Sequence, residues 1–268
     1  PGRREPPVTA LRLLLPGAAV VGDLDTDRDG AVQALADLYA YPVPVPGSGW
    51  VRATMIATVD GAVAGPDGRS GSIGTLADRT LFSVLRGLAD VILVGAGTVR
   101  AERYRPPEPK PDFAERRAAA GQRPAPVLAV VTRAGRPEDF PGVFPPAADS
   151  VAVLPATADL PRWRAALGPA RVLVAGADRV DAGAAVAALA ARGLPRILVE
   201  GGPHFLGEVV AAGVLDEICL SQAPLLVAGT APRVATGPPG DLRVRPVHLI
   251  ECDGTLLGRW AVRREPAG

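Results

Sequence analysis

The sequence predicts an α/β fold of three layers, in which helices cover both faces of a mostly parallel sheet that ends in antiparallel C-terminal strands. Short continuous apolar runs such as 91–94 (VILV) and 127–131 (VLAVV) read as strands buried on both faces, as parallel strands are. Segments with helical spacing lie between such runs. After residue 213 the alternation stops: 215–223, 243–252 and 256–263 are strand-like with little helix between them, the mark of an antiparallel finish.

In chain order, residues 1–9 are rich in Pro, Arg and Glu and are expected to be disordered, with 11–15 anchoring an N-terminal arm. Residues 29–40 place Val32, Leu35, Leu38 and Tyr39 at helical spacing, and the proline-rich 41–49 stops that helix. A strand follows from Trp50 and breaks at the turn dipeptide Asp60-Gly61. Thr75-x-x-Asp78 resembles a capping box, after which Leu81, Phe82, Val84, Leu85 and Leu88 line one face of a helix that leads into the strand 91–94. Strand, helix and strand in this order are the parts of a right-handed crossover. Residues 101–126 hold six prolines and read as a long loop over a site, with a short polar helix at 112–120. Further strands are expected at 127–131, 150–154 and 171–175, and a helix capped by Asp181 at 182–192. The strand 197–199 then runs into Gly201-Gly202 and a helix over 203–212, opened by Pro203 at a favourable position.

Composition narrows the function. With 268 residues the chain is long enough for a large core, and 48% hydrophobic content with 4% aromatics means that core is built from Val, Leu, Ile and Ala. The formal net charge of +1 gives no general attraction to nucleic acid or to a membrane surface. Cys219 and Cys252 match no metal or redox spacing, so no metal site is expected. Without a secretory pattern or an apolar run of spanning length, the expected location is cytoplasmic.

The chemistry concentrates at three strand ends: Thr58-Val59-Asp60-Gly61, Gly95-Ala96-Gly97-Thr98 and Glu200-Gly201-Gly202. Residues without a Cβ let backbone amides approach a phosphate closely, and ligands of open α/β sheets bind outside the carboxyl ends of the strands. Arg100 stands where the dinucleotide fingerprint requires its third glycine, so the glycines alone do not define the ligand. The likeness between 91–98 and 197–203 is that of two neighbouring strand ends serving one ligand, and no internal repeat of fixed period is present.

The segments TVDG, LRGLADVILVGAGTVRAERY and RILVEGGPHFLGEVVAAGVLDEICLSQAPLL resemble the reductase domain of bacterial riboflavin biosynthesis enzymes, NADPH-dependent pyrimidine reductases with a dihydrofolate-reductase-like fold. The resemblance covers roughly 50–265, leaving an N-terminal arm and helix over 1–49 ahead of an NADPH-dependent reductase domain over 50–268. It implies that Gly95, Gly97 and Thr98 line the NADPH pyrophosphate and its ribose. Gly201 and Gly202, with Pro203, His204, Phe205 and Leu206 at the start of the next helix, would form the second wall. Thr132 would meet the adenosine end, to which we add Arg133 as a partner for the 2′-phosphate, and Ile56 and Thr58 would lie against the nicotinamide. On the substrate side it implies Ser70 and Arg86, with Glu200, Arg103 and Arg105 closing the pocket. Asp60 or Glu200 would handle the proton that accompanies hydride transfer to the first ribosyl carbon of 5-amino-6-(5-phosphoribosylamino)uracil.

The resemblance also implies a homodimer. Two departures stand out: no His-x-Glu with Pro-Cys-x-x-Cys deaminase signature is present, so a reductase without deaminase activity is expected. Thr54 and Ser72 replace a basic residue and a tryptophan common in bifunctional members. Plainer roles compete throughout, since Asp60 before Gly61 is a turn former and Arg86 a possible solvated helix residue. A pterin reductase on the same fold and a non-catalytic NADP(H)-binding protein are the rival readings.

Overall fold

A computed structural model describes residues 9–45 and 47–264; the expectation of disorder over 1–9 falls almost wholly outside them. The chain opens with a hairpin of β1 (Ala10–Leu15) and β2 (Ala19–Asp23), followed by α1 (Arg28–Leu38). Next come β3 (Trp50–Thr58), α2 (Leu76–Leu88), β4 (Val91–Gly95) and the short α3 (Ala96–Ala101). The long loop carries α4 (Ala114–Ala119) and leads into β5 (Val127–Val131), β6 (Val151–Leu154), α5 (Leu160–Leu167) and β7 (Val172–Val174). Then follow α6 (Ala182–Ala191), β8 (Arg196–Val199), α7 (Pro203–Ala211), β9 (Glu217–Ala223), β10 (Val244–Cys252) and β11 (Thr255–Val262).

All strands among the described residues belong to one 11-stranded sheet in the order β2-β1-β10-β11-β9-β3-β8-β4-β5-β6-β7. From β9 to β7 every neighbouring pair is parallel; from β9 back to β2 every pair is antiparallel. The antiparallel end therefore takes strands from both termini, and β9 is antiparallel to β11 yet parallel to β3. The N-terminal arm adds to this sheet through β1 and β10, and α1 packs into the same core as α2.

Two apolar clusters, one on each sheet face, make the three layers: α1, α2 and Trp163 of α5 cover one face, α6 and α7 the other. Val91, Ile92, Leu93 and Val94 are each 0% exposed, as a strand covered on both sides must be. The helix starts follow their caps: Asp27, Thr75, Asp159 and Asp181 accept backbone N–H bonds from the third residue onward. The α5 helix is absent from the sequence reading, although Asp159 as cap and Pro161 in its first turn are its local signals. The strand order departs from chain order between β3 and β4, where the expected neighbours 91–98 and 197–203 do lie side by side. The crossover β3-α2-β4 leaves a gap that β8 fills, pairing with β3 on one side and β4 on the other.

Candidate active site

Because β8 lies between β3 and β4, the three glycine-bearing strand ends are adjacent. Gly95 donates its N–H to the Gly201 carbonyl at 2.8 Å, and Glu200 donates its own to Leu93 O at 3.1 Å, which ties the two ends together. Gly201 has φ +80° and joins Gly202 through a cis peptide bond. A Cβ on Gly202 would stand 2.6 Å from Thr98 Oγ1, and one on Gly201 3.0 Å from Met55 Sδ, so glycine is required at both. Gly97 differs: a Cβ there would meet nothing within 4 Å, because it faces a cavity. That cavity, about 370 Å³, is walled by Gly97, Thr98, Gly202 and Pro203 on one side and by Thr54, Met55 and Ile56 of β3 on another. The first turn of α7 opens nearby with no side-chain cap on its N–H groups, which suits an anionic group.

A second cavity of about 610 Å³ adjoins it, sharing Ser70, Phe82, Glu102 and Tyr104. Its wall is the proline-rich loop, with Arg103, Arg105 and Lys110 giving it a basic character and Arg117 at its back. Proline fixes backbone shape there without requiring hydrogen-bond partners. Arg117 braces the floor, donating Nη1 to the Gly87 and Ala89 carbonyls at 2.9 and 2.7 Å.

Between the cavities stands a charged triad. Arg86 donates Nε to Glu200 Oε1 at 2.7 Å and Nη2 to Oε2 at 2.6 Å, and the Tyr104 hydroxyl donates to Oε2 at 2.7 Å. Arg86 also lies over the Phe82 ring, 4.3 Å from its centroid. Burial, with Glu200 beside it, pushes the Tyr104 phenol well above its ordinary range, so it keeps its proton.

The structure brings together Ile56, Gly97, Thr98, Glu200, Gly202, Pro203 and Ser70 at the first cavity, and Arg86, Arg103, Arg105 and again Ser70 at the second. Several side chains have other partners than the sequence reading gave them. Asp60 and Glu200 do not share a cavity: Asp60 accepts the Val227 and Ala228 amides at 3.2 and 2.6 Å, and the Thr58 hydroxyl, and so fixes the 225–229 loop. Those bonds, the one from Thr58 first, hold its carboxyl below the usual range, which is wrong for a proton donor at neutral pH. Thr58 is 1% exposed and points at Asp60 and Ala62 rather than at the cavity. Arg86 is not a free phosphate ligand, since two of its nitrogens hold Glu200. Arg105 is bound to the Tyr104 and Pro141 carbonyls.

At the cofactor end, Gly95 is a backbone contact between strands rather than a cavity residue. Thr132 is buried with its hydroxyl on Ala134 O, and the exposed Arg133 lines neither cavity. Phe205 and Leu206 are core side chains that leave only backbone groups to a ligand, and the exposed His204 pairs through Nδ1 with Thr236 at 3.1 Å and lines neither cavity.

Sequence reasoning missed Tyr104, Glu102 and Asp78 and took Phe82 for core. Phe82 is half-buried and lines both cavities. The signal was present in the spacing: Asp78, Phe82 and Arg86 repeat every fourth residue, one polar-edged face of α2 beside the apolar face of Leu81, Val84, Leu85 and Leu88.

Fold and cleft together place the chain among the α/β proteins that take ligands outside the carboxyl ends of parallel strands. Within that class it matches the RibD C-terminal domain family over residues 49–257, and it belongs to that family. Its sequence is 26% identical over 189 residues to the 2,5-diamino-6-ribosylamino-4(3H)-pyrimidinone 5′-phosphate reductase of Archaeoglobus fulgidus, covering 70% of this chain and 86% of that protein. It is 31% identical over 172 residues to the protein of the same name from Methanothermobacter thermautotrophicus, covering 64% and 76%. A crystal structure of a pyrimidine reductase-like protein from Corynebacterium diphtheriae superposes with a TM-score of 0.73 at 25% identity, over 86% of this chain and 99% of that one. The family resemblance read from the three motifs is thus confirmed.

Proposed function

We propose that the protein is an NADPH-dependent reductase of a phosphoribosylamino-pyrimidine in riboflavin biosynthesis. The observation that carries this reading is the pair of adjoining cavities, one glycine-walled at the strand ends and one basic, joined at Tyr104 and Glu102. Family membership and the names of the archaeal relatives support it.

The open space over Gly97 and the uncapped start of α7 fit a pyrophosphate, and Thr54, Met55 and Ile56 offer a flat wall for a nicotinamide. When bound, NADPH supplies the hydride. The protein's own part is alignment and one proton. Ser70, fixed by two bonds to Glu102 Oε1 at 3.0 Å, positions the shared boundary. Glu200, held by Arg86 and Tyr104, is the group placed to guide the proton needed at the ribosyl oxygen that becomes a hydroxyl. The phosphate belongs in the basic cavity, where Lys110 and Arg103 line the wall and no described carboxylate forms an ion pair with either. The late strands β9 to β11 would serve the homodimer that the resemblance implies.

The test is NADPH oxidation with 5-amino-6-(5-phosphoribosylamino)uracil, its 2-amino precursor form and dihydrofolate as acceptors. Turnover of either phosphoribosyl compound supports the reading. Turnover of dihydrofolate alone makes the protein a pterin reductase, and NADPH binding without any turnover makes it a non-catalytic NADP(H)-binding protein.

A further inference from the structure

On the first turn of α2, Asp78 lines the glycine-walled cavity beside Thr54 and Ile56, and the role given to Glu200 leaves it unused. Its carboxyl accepts the side chain of Ser221, a residue 2% exposed on β9 and in register with Ile56. Arg79, next along the helix, turns its guanidinium to the Gly74 carbonyl at 2.8 Å, and none of the ion pairs among the described residues includes Asp78. A carboxylate offers about four lone-pair sites, so the bond from Ser221 leaves acceptor capacity facing the cavity. The other two carboxylates there are more committed: Glu200 takes Arg86 and Tyr104, and Glu102 takes Ser70.

The same helix face continues with Phe82 one turn on and Arg86 another turn on. Acceptor, flat ring and guanidinium thus stand in line over about 12 Å of helix, eight residues at the α-helical rise. The line runs from the glycine-walled cavity toward the basic one. It leads a molecule with a planar heterocycle at one end and a phosphate at the other toward the basic cavity, where Lys110 and Arg103, rather than the Glu200-bound Arg86, meet the phosphate.

We infer that Asp78 is a specificity-determining residue that reads position 2 of the pyrimidine, selecting a 2-amino-4-oxo ring over its 2-oxo counterpart. This rests on the proposed function for the site while naming the ring that it takes. A 2-aminopyrimidin-4-one presents two adjacent donors, the ring N–H and the exocyclic amine, and both match a carboxylate's paired oxygens. A 2-oxo ring puts a carbonyl oxygen where the amine was, acceptor against acceptor, so the site rejects it by leaving Asp78 unpaired. Phe82 supplies a face for the ring to stack on. Burial pushes the Asp78 carboxyl up from its ordinary range, against the opposing pull of Ser221 and Arg79, so a ligand carrying two N–H donors relieves a desolvated group.

Two measurements on the NADPH-loaded protein test this. In the first, pterin and lumazine, which differ only in 2-amino against 2-oxo, are titrated by fluorescence into the wild type and Asp78→Asn. The wild type is expected to bind pterin at least tenfold more tightly, and the ratio to collapse or invert in Asp78→Asn, since an amide can turn its N–H toward a carbonyl; a cooperative thermal unfolding transition is the check that the variant is folded. In the second, kcat and KM are measured for the 2-amino and 2-oxo phosphoribosylamino-pyrimidines, with the wild-type preference carried by KM. Equal binding of pterin and lumazine by the wild type overturns the inference, even if the variant does not fold. So does a preference that survives in a folded Asp78→Asn. Discrimination in the titration with no turnover of either phosphoribosyl compound removes the proposed function and leaves the ring preference standing.

Discussion

Two arginine–glutamate clusters in this molecule use the same chemistry with different access to a cavity. In the closed one, Glu217 accepts Arg52 Nε at 2.6 Å, Arg259 Nε at 2.6 Å and Trp50 Nε1 at 2.9 Å, and both arginines reach on to carbonyls at the end of α1. The Arg52 and Glu217 side chains are 0% and 1% exposed. In the open one, Glu200 is equally buried at 1%, but its Arg86 is 24% exposed at a cavity mouth. Every bond of the closed cluster joins protein to protein, so it locks α1 to β3, β9 and β11. The open cluster holds a carboxylate steady where a ligand can meet it. The arginine's exposure at a cavity, rather than residue type or the depth of the carboxylate, separates the structural pair from the functional one.

The largest expected effect lies in the closed cluster. Glu217→Ala leaves two arginines buried without their counter-charge and is expected to cost about 3–5 kcal/mol in urea unfolding, with kcat per folded molecule retained. If stability barely changes, the two clusters are not of different kinds. Arg86→Ala reverses the emphasis: removing charge-assisted bonds to Glu200 lowers kcat/KM by about 1.5–3 kcal/mol of activation free energy, while the loss of melting temperature is smaller than in Glu217→Ala, because Glu200 keeps its bond from Tyr104 and faces the cavity. Because Arg86 acts through Glu200, kcat falls as well as KM rising, and a dephosphorylated substrate suffers equally; a loss confined to phosphorylated substrate would make Arg86 a phosphate ligand after all.

Gly97→Val sharpens the contrast within the open region. Its side chain fills cavity space rather than protein, so NADPH affinity is expected to drop about tenfold, or about 1.4 kcal/mol, without loss of fold. Unchanged affinity in a folded variant places the pyrophosphate elsewhere. A smaller effect concerns His248, which packs edge-on to Tyr39 beside the closed cluster. Burial, helped by Arg259, lowers its imidazole to about 4, so the unfolded chain binds the proton first. Its contribution is therefore fully present above the ordinary imidazole range and is lost as pH falls from about 6.5 to about 4. Melting temperature measured across that window should fall less steeply in His248→Phe than in the wild type. The smallest effect is expected for Asp60→Asn, which weakens the hold on the 225–229 loop and leaves kcat unchanged; a large fall in kcat would return Asp60 to the proton chemistry.

Much of the site was legible because glycine carries a backbone message. Gly97, Gly201 and Gly202 follow buried strands, and each glycine is there for space, whether for a ligand or for Thr98 and Met55. The role of Asp60 was misread because Asp before Gly suits a turn and a catalytic loop alike, and only the Val227 and Ala228 amides, far along the chain, decide between them. Tyr104 gave no signal, since a tyrosine in a proline-rich loop has no period to betray its partner, here Glu200 at 2.7 Å.

The sequence by itself determined the parallel strands, their helices, the antiparallel finish and the family, because local hydrophobic period, caps and glycine turns act over a few residues. Only the tertiary structure decided that β8 inserts between β3 and β4, that the N-terminal hairpin extends the far edge of the sheet, and that Arg86 grips Glu200 rather than a phosphate. Those outcomes depend on which distant groups must find partners once water is excluded, and a buried charge takes whatever counter-charge the assembled sheet brings within reach.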